Sequence, residues 1–230
     1  MSDIESNLKI TKAKIAEAAK KSGREEKDIT LIAVTKTHSP EEINEAINCG
    51  VTDIGENKVQ EIVEKYDRVN PVRWHLIGHL QTNKVKYIID KVYMIHSVDS
   101  VHLMEEIDRQ AKKHGIVMKI LIQVNISGEE TKFGIRPDEI DTMLEAAEGF
   151  SNIKVCGLMT ILPKVNNSVS LRLHFVNIRR IYIDISKKKY NNISMQYLSM
   201  GMSGDFETAI EEGSNMVRIG RAIFGERNYG

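Results

Sequence analysis

The feature that most constrains this chain is a strict alternation of two hydrophobic periods. Apolar runs of strand length recur at 29–35, 52–55, 73–78, 94–98, 118–124, 154–161, 196–200 and 216–219. Helical patterns fill the gaps, at 40–49, 57–67, 82–91, 100–114, 137–149, 169–187 and 205–213. One more amphipathic helix precedes them over the first 22 residues, carried by Ile4, Leu8, Ile15, Ala18 and Ala19 and stopped by Gly23. A short tail, 222–229, follows the last strand. Strands separated by helices have to run parallel, because parallel neighbours need a crossover connection. Runs such as Leu31-Ile32-Ala33-Val34 and Ile120-Leu121-Ile122 suit strands covered on both faces. An open doubly wound sheet would give the same local pattern, but eight strands favour closure. The expectation is an α/β protein: a single (β/α)8 TIM barrel with an extra N-terminal helix, occupying residues 1–230 as one domain. No linker, low-complexity stretch or internal repeat interrupts it.

Charge excludes some partners. Lys plus Arg (32) equals Asp plus Glu (32), so no bulk field draws the chain to nucleic acid or to a membrane surface. The cluster Lys187-Lys188-Lys189 reads as a solvated helix end. Two cysteines, Cys49 and Cys156, have neither disulfide-framework nor metal-ligand spacing and fit a reducing compartment. The acidic, amphipathic start is unlike a signal peptide, and no apolar run approaches the roughly 20 residues of a membrane span. A cytoplasmic location is expected, with a monomer as the default state.

Barrels gather chemistry at the C-terminal ends of their strands. Those ends read Lys36, Glu56-Asn57, Gly78-His79, Asp99, Asn125, Met159-Thr160, Ser203-Gly204 and Arg218 to Arg221. Lys36 closes the first run, just ahead of Ser39-Pro40-Glu41-Glu42, a capping box with proline at the first helical position. An amine desolvated in the barrel mouth suits Schiff-base formation with an aldehyde; the alternative is a surface lysine at a loop start. In Ser199-Met200-Gly201-Met202-Ser203-Gly204-Asp205, glycines let backbone approach a ligand, Ser203 adds a hydroxyl, and the helix near Asp205 aims N–H groups at it. That suits a phosphate, or else a turn with Ser203 as a cap. Arg218 alternates with Val217 and Ile219 and so faces the barrel interior, while Gly220 offers an unobstructed N–H. A buried arginine calls for an anionic or acceptor partner, a ligand or an acid such as Glu56. Since the first and eighth strands of a closed barrel are neighbours, the three features together suit a phosphorylated aldehyde.

Several long motifs, in order, resemble one known family. They are Ala33-Val34-Thr35-Lys36, Ile54-Gly55-Glu56-Asn57-Lys58-Val59-Gln60-Glu61, Trp74-His75-Leu76-Ile77-Gly78-His79-Leu80-Gln81-Thr82-Asn83-Lys84, His96-Ser97-Val98-Asp99-Ser100 and Gln123-Val124-Asn125 with Lys132-Phe133-Gly134. Leu198-Ser199-Met200-Gly201-Met202-Ser203 and Val217-Arg218-Ile219-Gly220-Arg221-Ala222-Ile223-Phe224-Gly225 complete the set. In these the chain resembles the pyridoxal phosphate homeostasis proteins over nearly its whole length. The resemblance implies a barrel like the N-terminal domain of alanine racemase, with pyridoxal 5'-phosphate (PLP) held as an internal aldimine on Lys36. It implies that Asn57 and His79 line the ring, that Ser203, Gly204 and Gly220 hold the phosphate, and that Arg218 faces the pyridine nitrogen. Apo PLP-dependent enzymes are the implied partners. One stretch departs from the family: between Pro163 and Leu171, where an acidic loop is usual, the chain reads Lys164-Val165-Asn166-Asn167-Ser168-Val169.

An arginine opposite the ring nitrogen can only donate and would leave that nitrogen unprotonated, which weakens carbanion chemistry. In the related racemase a tyrosine and a second domain complete the site. Here no tyrosine falls at a strand's C-terminal end, and the sequence stops at Gly230, so no such domain is expected. The expectation is a carrier or regulator in vitamin B6 homeostasis without catalytic turnover. A weak PLP-dependent amino-acid racemase is the alternative, and a Schiff-base aldolase a more distant one.

Overall fold

Eight parallel strands close on themselves in sequence order: β1 (Thr30–Val34), β2 (Asp53–Glu56), β3 (Arg73–Leu76), β4 (Met94–Val98), β5 (Met118–Gln123), β6 (Ile153–Met159), β7 (Ile193–Met202) and β8 (Met216–Ile219). The computed structural model describes residues 2–129, 131–162 and 168–225. Closure is made at β1, where Ala33 is in register with Ile54 of β2 on one side and Ile219 of β8 on the other. The period-two alternation of each strand then separates two apolar layers. Side chains pointing in form a small cluster of Ile32, Met94, Leu121, Cys156, Met159 and Met216. Those pointing out, such as Ala33, Ile54, Leu76, Ile95, Ile120, Val217 and Ile219, pack under the helices in the much larger outer core. A fully buried aliphatic side chain contributes about 1.5–3 kcal/mol. The outer layer therefore carries most of the hydrophobic stabilisation and leaves the barrel interior room for polar groups.

The helices are α1 (Asp3–Lys21), α2 (Pro40–Asn48), α3 (Val59–Lys65), α4 (Val101–His114), α5 (Ile140–Glu148), α6 (Ser168–Ser186), α7 (Phe206–Glu211) and α8 (Arg221–Phe224). The capping box ahead of α2 forms as read: Ser39 Oγ accepts from the N–H of Glu42, and the Glu42 carboxylate accepts from the N–H of Ser39. The N-terminal helix packs against α7 and α8, with Asn7 Nδ2 donating to the carbonyl of Ile223 at 3.0 Å.

Some elements differ from the sequence reading. Residues 82–91 form no α-helix but a 3-10 segment, Thr82–Tyr87, followed by turns. Val85, Ile88, Ile89 and Val92 are all buried, so their helix-like spacing serves packing rather than a continuous helix. The seventh strand runs longer than read, and a register shift between Ser199 and Met202 bends it beside β8. The expected tail contains α8, and its last part, residues 226–229, lies outside the described residues, as does 163–167 of the departing loop. Among the described residues no helix is long and apolar enough to cross a membrane.

Candidate functional site

Lys36 lies half-buried in the turn that follows β1. Its neighbour Thr37 has φ 69°, a left-handed conformation that a β-branched residue rarely adopts. A buried ion cluster holds that turn from both sides. Lys65 Nζ donates to the carbonyl of Thr35 (3.1 Å), to Glu56 Oε1 (2.8 Å) and to Glu61 Oε2 (2.8 Å). Thr35 Oγ1 donates to Glu56 Oε1 (2.7 Å), and the N–H of Thr37 donates to Glu61 Oε2 (2.8 Å). Both residues flanking Lys36 are thus fixed, and the direction in which its side chain leaves the backbone is fixed with them. Burial pushes the Glu56 carboxyl above its ordinary pKa despite Lys65. For Glu61 burial opposes ionisation, yet hydrogen bonds from Lys65 and Thr37 hold its pKa below the usual range.

Arg218 points inward from β8 in alternation with Val217 and Ile219, and it is 3% exposed. Its Nη1 donates to Ser199 Oγ (2.6 Å) and its Nη2 to the carbonyl of Thr160 (2.8 Å). Glu56 is engaged by Lys65 and Thr35, so the Arg218–Glu56 pairing held open from the sequence is not the one formed. Burial lowers the Arg218 pKa to about 10, with Asp205 opposing the shift, and the guanidinium is charged at neutral pH.

Ser203 follows β7, and its Oγ accepts from the N–H groups of Gly220 (3.3 Å) and Ala222 (3.4 Å). These donors come from the start of α8. Asp205, at the N-cap position of the helix after β7, accepts from the N–H of Met202 (2.6 Å) and makes no side-chain cap bond to that helix. Gly204 is exposed, and a β-carbon there would meet nothing within 4 Å. A β-carbon on Gly220 would lie 3.2 Å from the Val34 carbonyl oxygen, so the glycine lets the exit of β8 rest against the end of β1.

Asn57, half-buried, follows β2 and packs against Gly78. His79 is at the rim, stacked on Phe133 with ring centroids 4.0 Å apart and 3.6 Å from the Asp99 carboxylate. Burial raises the Asp99 pKa, with His79 opposing the rise. Asn125 is spent inside its own loop, bonding Glu129, Lys132, Ser127 and Gly128. The structure therefore brings Lys36, Ser203, Gly220 and Arg218 together around the β7–β8–β1 seam and places His79 on the β3 side of the mouth. Sequence reading missed Lys65 and Glu61, whose signal was an i,i+4 acid–base pair on a helix beside the lysine-bearing turn. It also missed Ser199 and the Thr160 carbonyl as partners of Arg218.

An amine borne on a clamped turn, a cluster of hydroxyl and N–H donors with open space beside it, and a buried cation fit a phosphorylated carbonyl compound. The family of alanine racemase N-terminal domains matches residues 6–228 of this chain, which agrees with the barrel class. The pyridoxal phosphate homeostasis protein of Aquifex aeolicus (strain VF5) is 44% identical over 218 residues, covering 94% of this chain and 95% of that one. Among solved structures, one described as an unknown protein from Bifidobacterium adolescentis is 36% identical with a TM-score of 0.90, covering 96% of this chain and 94% of that one. PipY of Synechococcus elongatus PCC7942, solved with PLP bound, is 29% identical with a TM-score of 0.84, covering 96% of this chain and 100% of that one. This chain belongs to the family of pyridoxal phosphate homeostasis proteins.

Proposed function

We propose that this chain binds pyridoxal 5'-phosphate covalently through Lys36 and acts in the homeostasis of that cofactor, holding it for apo PLP-dependent enzymes. The observation that carries the reading is the clamped Lys36 turn lying at the same barrel seam as the Ser203, Gly220 and Ala222 donors. The names of the relatives and the PLP-bound PipY structure support it. When bound, the cofactor supplies an electron sink for chemistry at an amino group. Ser203, Gly204 and Gly220 would hold the phosphate, while Asn57 and His79 would border the ring. Arg218 would face the ring nitrogen; a donor-only cation there leaves that nitrogen unprotonated and keeps the sink weak. No tyrosine among the described residues stands at the C-terminal end of a strand to serve as a second base. These two features favour holding the cofactor over turning substrate over. One chain supplies every residue named, so a monomer suffices, and the free thiols of Cys49 and Cys156 suit the cytoplasm.

The test is to load the protein with PLP, mix it with an apo-enzyme, and compare the rate of reactivation with that given by free PLP. The expected result is a visible absorbance band on the loaded protein and transfer of its cofactor to the apo-enzyme. Sustained racemisation of alanine or serine would replace the carrier reading with the racemase one.

A further inference from the structure

Arg218 is one end of a hydrogen-bond chain that crosses the barrel interior. Beyond Ser199 Oγ, which accepts from Arg218 at 2.6 Å, stands His96 Nδ1 at 3.2 Å. His96 Nε2 is 2.9 Å from His75 Nδ1, and His75 Nε2 is 2.9 Å from Asp53 Oδ1. Asp53 in turn accepts from Thr52 Oγ1 (2.7 Å) and Arg73 Nη2 (2.6 Å) at the edge of a groove that Lys12, Thr52, Asp53 and Arg73 line. The members come from β8, β7, β4, β3 and β2, and all five side chains are buried.

The direction of the chain follows from its two ends. Arginine can only donate, so Ser199 Oγ must accept from it and turn its own proton to His96 Nδ1. His96 then carries its proton on Nε2 and gives it to His75 Nδ1. His75 carries its proton on Nε2 and gives it to Asp53. Starting from Asp53, an ionised carboxylate that can only accept, the same tautomers result. Every proton points away from the mouth, and aligned hydrogen bonds of this kind polarise one another.

We propose that Asp53, His75, His96 and Ser199 are positioning residues that lock the Arg218 guanidinium and couple its charge to the Asp53 carboxylate at the far end of the chain. A buried guanidinium with no carboxylate in contact is costly unless its donors are satisfied. The Thr160 carbonyl tethers Nη2 and the chain tethers Nη1, so the fork cannot rotate about its stem. The two histidines stay neutral in this scheme. The groups facing His75 are Asp53, His96, Arg73, Lys119 and Tyr93, and those facing His96 are His75, Ser199 and Arg218. Burial outweighs the attraction of Asp53 and holds the His75 pKa below its ordinary value, and burial, with His75 and the Arg218 cation adding to it, does the same for His96.

The chain itself does not depend on the cofactor, although its value for the ring rests on the proposed function. Nitrogen-15 NMR of the full-length protein without added PLP, from pH 5.5 to 8.5, tests it. Both His75 and His96 are expected as neutral Nε2–H tautomers that do not titrate, and the Arg218 Nη signals as separate resonances that merge in Ser199→Ala. An Nδ1–H tautomer, titration of either ring, or averaged Arg218 signals in the unaltered protein would overturn the proposal, whether or not Ser199→Ala folds. With PLP, Ser199→Ala is expected to weaken binding about tenfold, the size of one hydrogen bond to a charged group, with Ser199→Thr restoring it. Unchanged binding beside the expected tautomers would confine the chain to the apo fold and refute its role toward the ring. Failure of the unaltered protein to bind PLP would refute the proposed function and leave the tautomer result to decide the chain.

Discussion

Gly78 shows how a single position shapes the mouth. A β-carbon there would lie 2.3 Å from the Asn57 carbonyl oxygen and 2.7 Å from its Cα, backbone atoms that cannot swing away. Gly78→Ala is expected to destabilise the protein by about 1–3 kcal/mol, read from the midpoint of urea unfolding, and to displace Asn57. A midpoint equal to that of the unaltered protein would mean the two loops have slack. Position along the chain made Lys36 and Arg218 legible, because each ends or alternates within an apolar strand. Their partners were not legible. His75 and His96 lie inside short strands, each with one further polar residue, Arg73 and Ser97, and the sequence does not say which inward side chains meet across a barrel. Attention to strand ends passed over the middle of the strands, where the chain of hydrogen bonds runs.

At the scale of elements, β4 and β8 begin and end where the sequence places them, since both are short apolar runs bounded by polar turns. The 82–91 segment was misread because spacing alone does not distinguish a helix from turns that bury the same residues. The clamp on the Lys36 turn belongs to this scale, since it joins β1, β2 and α3. Lys65→Met would leave Glu56, fully buried, without its cation, at a cost of about 3–5 kcal/mol. Adding Glu56→Gln should recover much of that loss, because the uncompensated charge is then gone. A double variant as unstable as the single one would mean that the lysine acts by packing alone.

Across the whole molecule the ionisable groups inside the barrel shape the acid limb of stability. Burial alone would raise the Asp53 pKa, but hydrogen bonds from His75, Arg73 and Thr52 outweigh it and bring the value from 3.8 to about 2. Asp53 therefore takes up its proton more readily unfolded than folded. Its contribution, on the order of 2 kcal/mol, is complete above the unfolded value and is lost as pH falls through the folded one. Glu56, Asp99 and Asp205, whose values burial raises, act in the opposite sense as pH rises. Asp53→Asn is expected to flatten the fall in unfolding free energy between pH 3.8 and about 2. An unchanged slope would show that Asp53 is not held ionised by its partners.

The covalent role of Lys36 is decided by borohydride reduction of the PLP-loaded protein followed by peptide mass mapping. A pyridoxyl group on the peptide that contains Lys36, absent from Lys36→Ala, is the predicted result. A label on a different lysine, or no label at all, would contradict it.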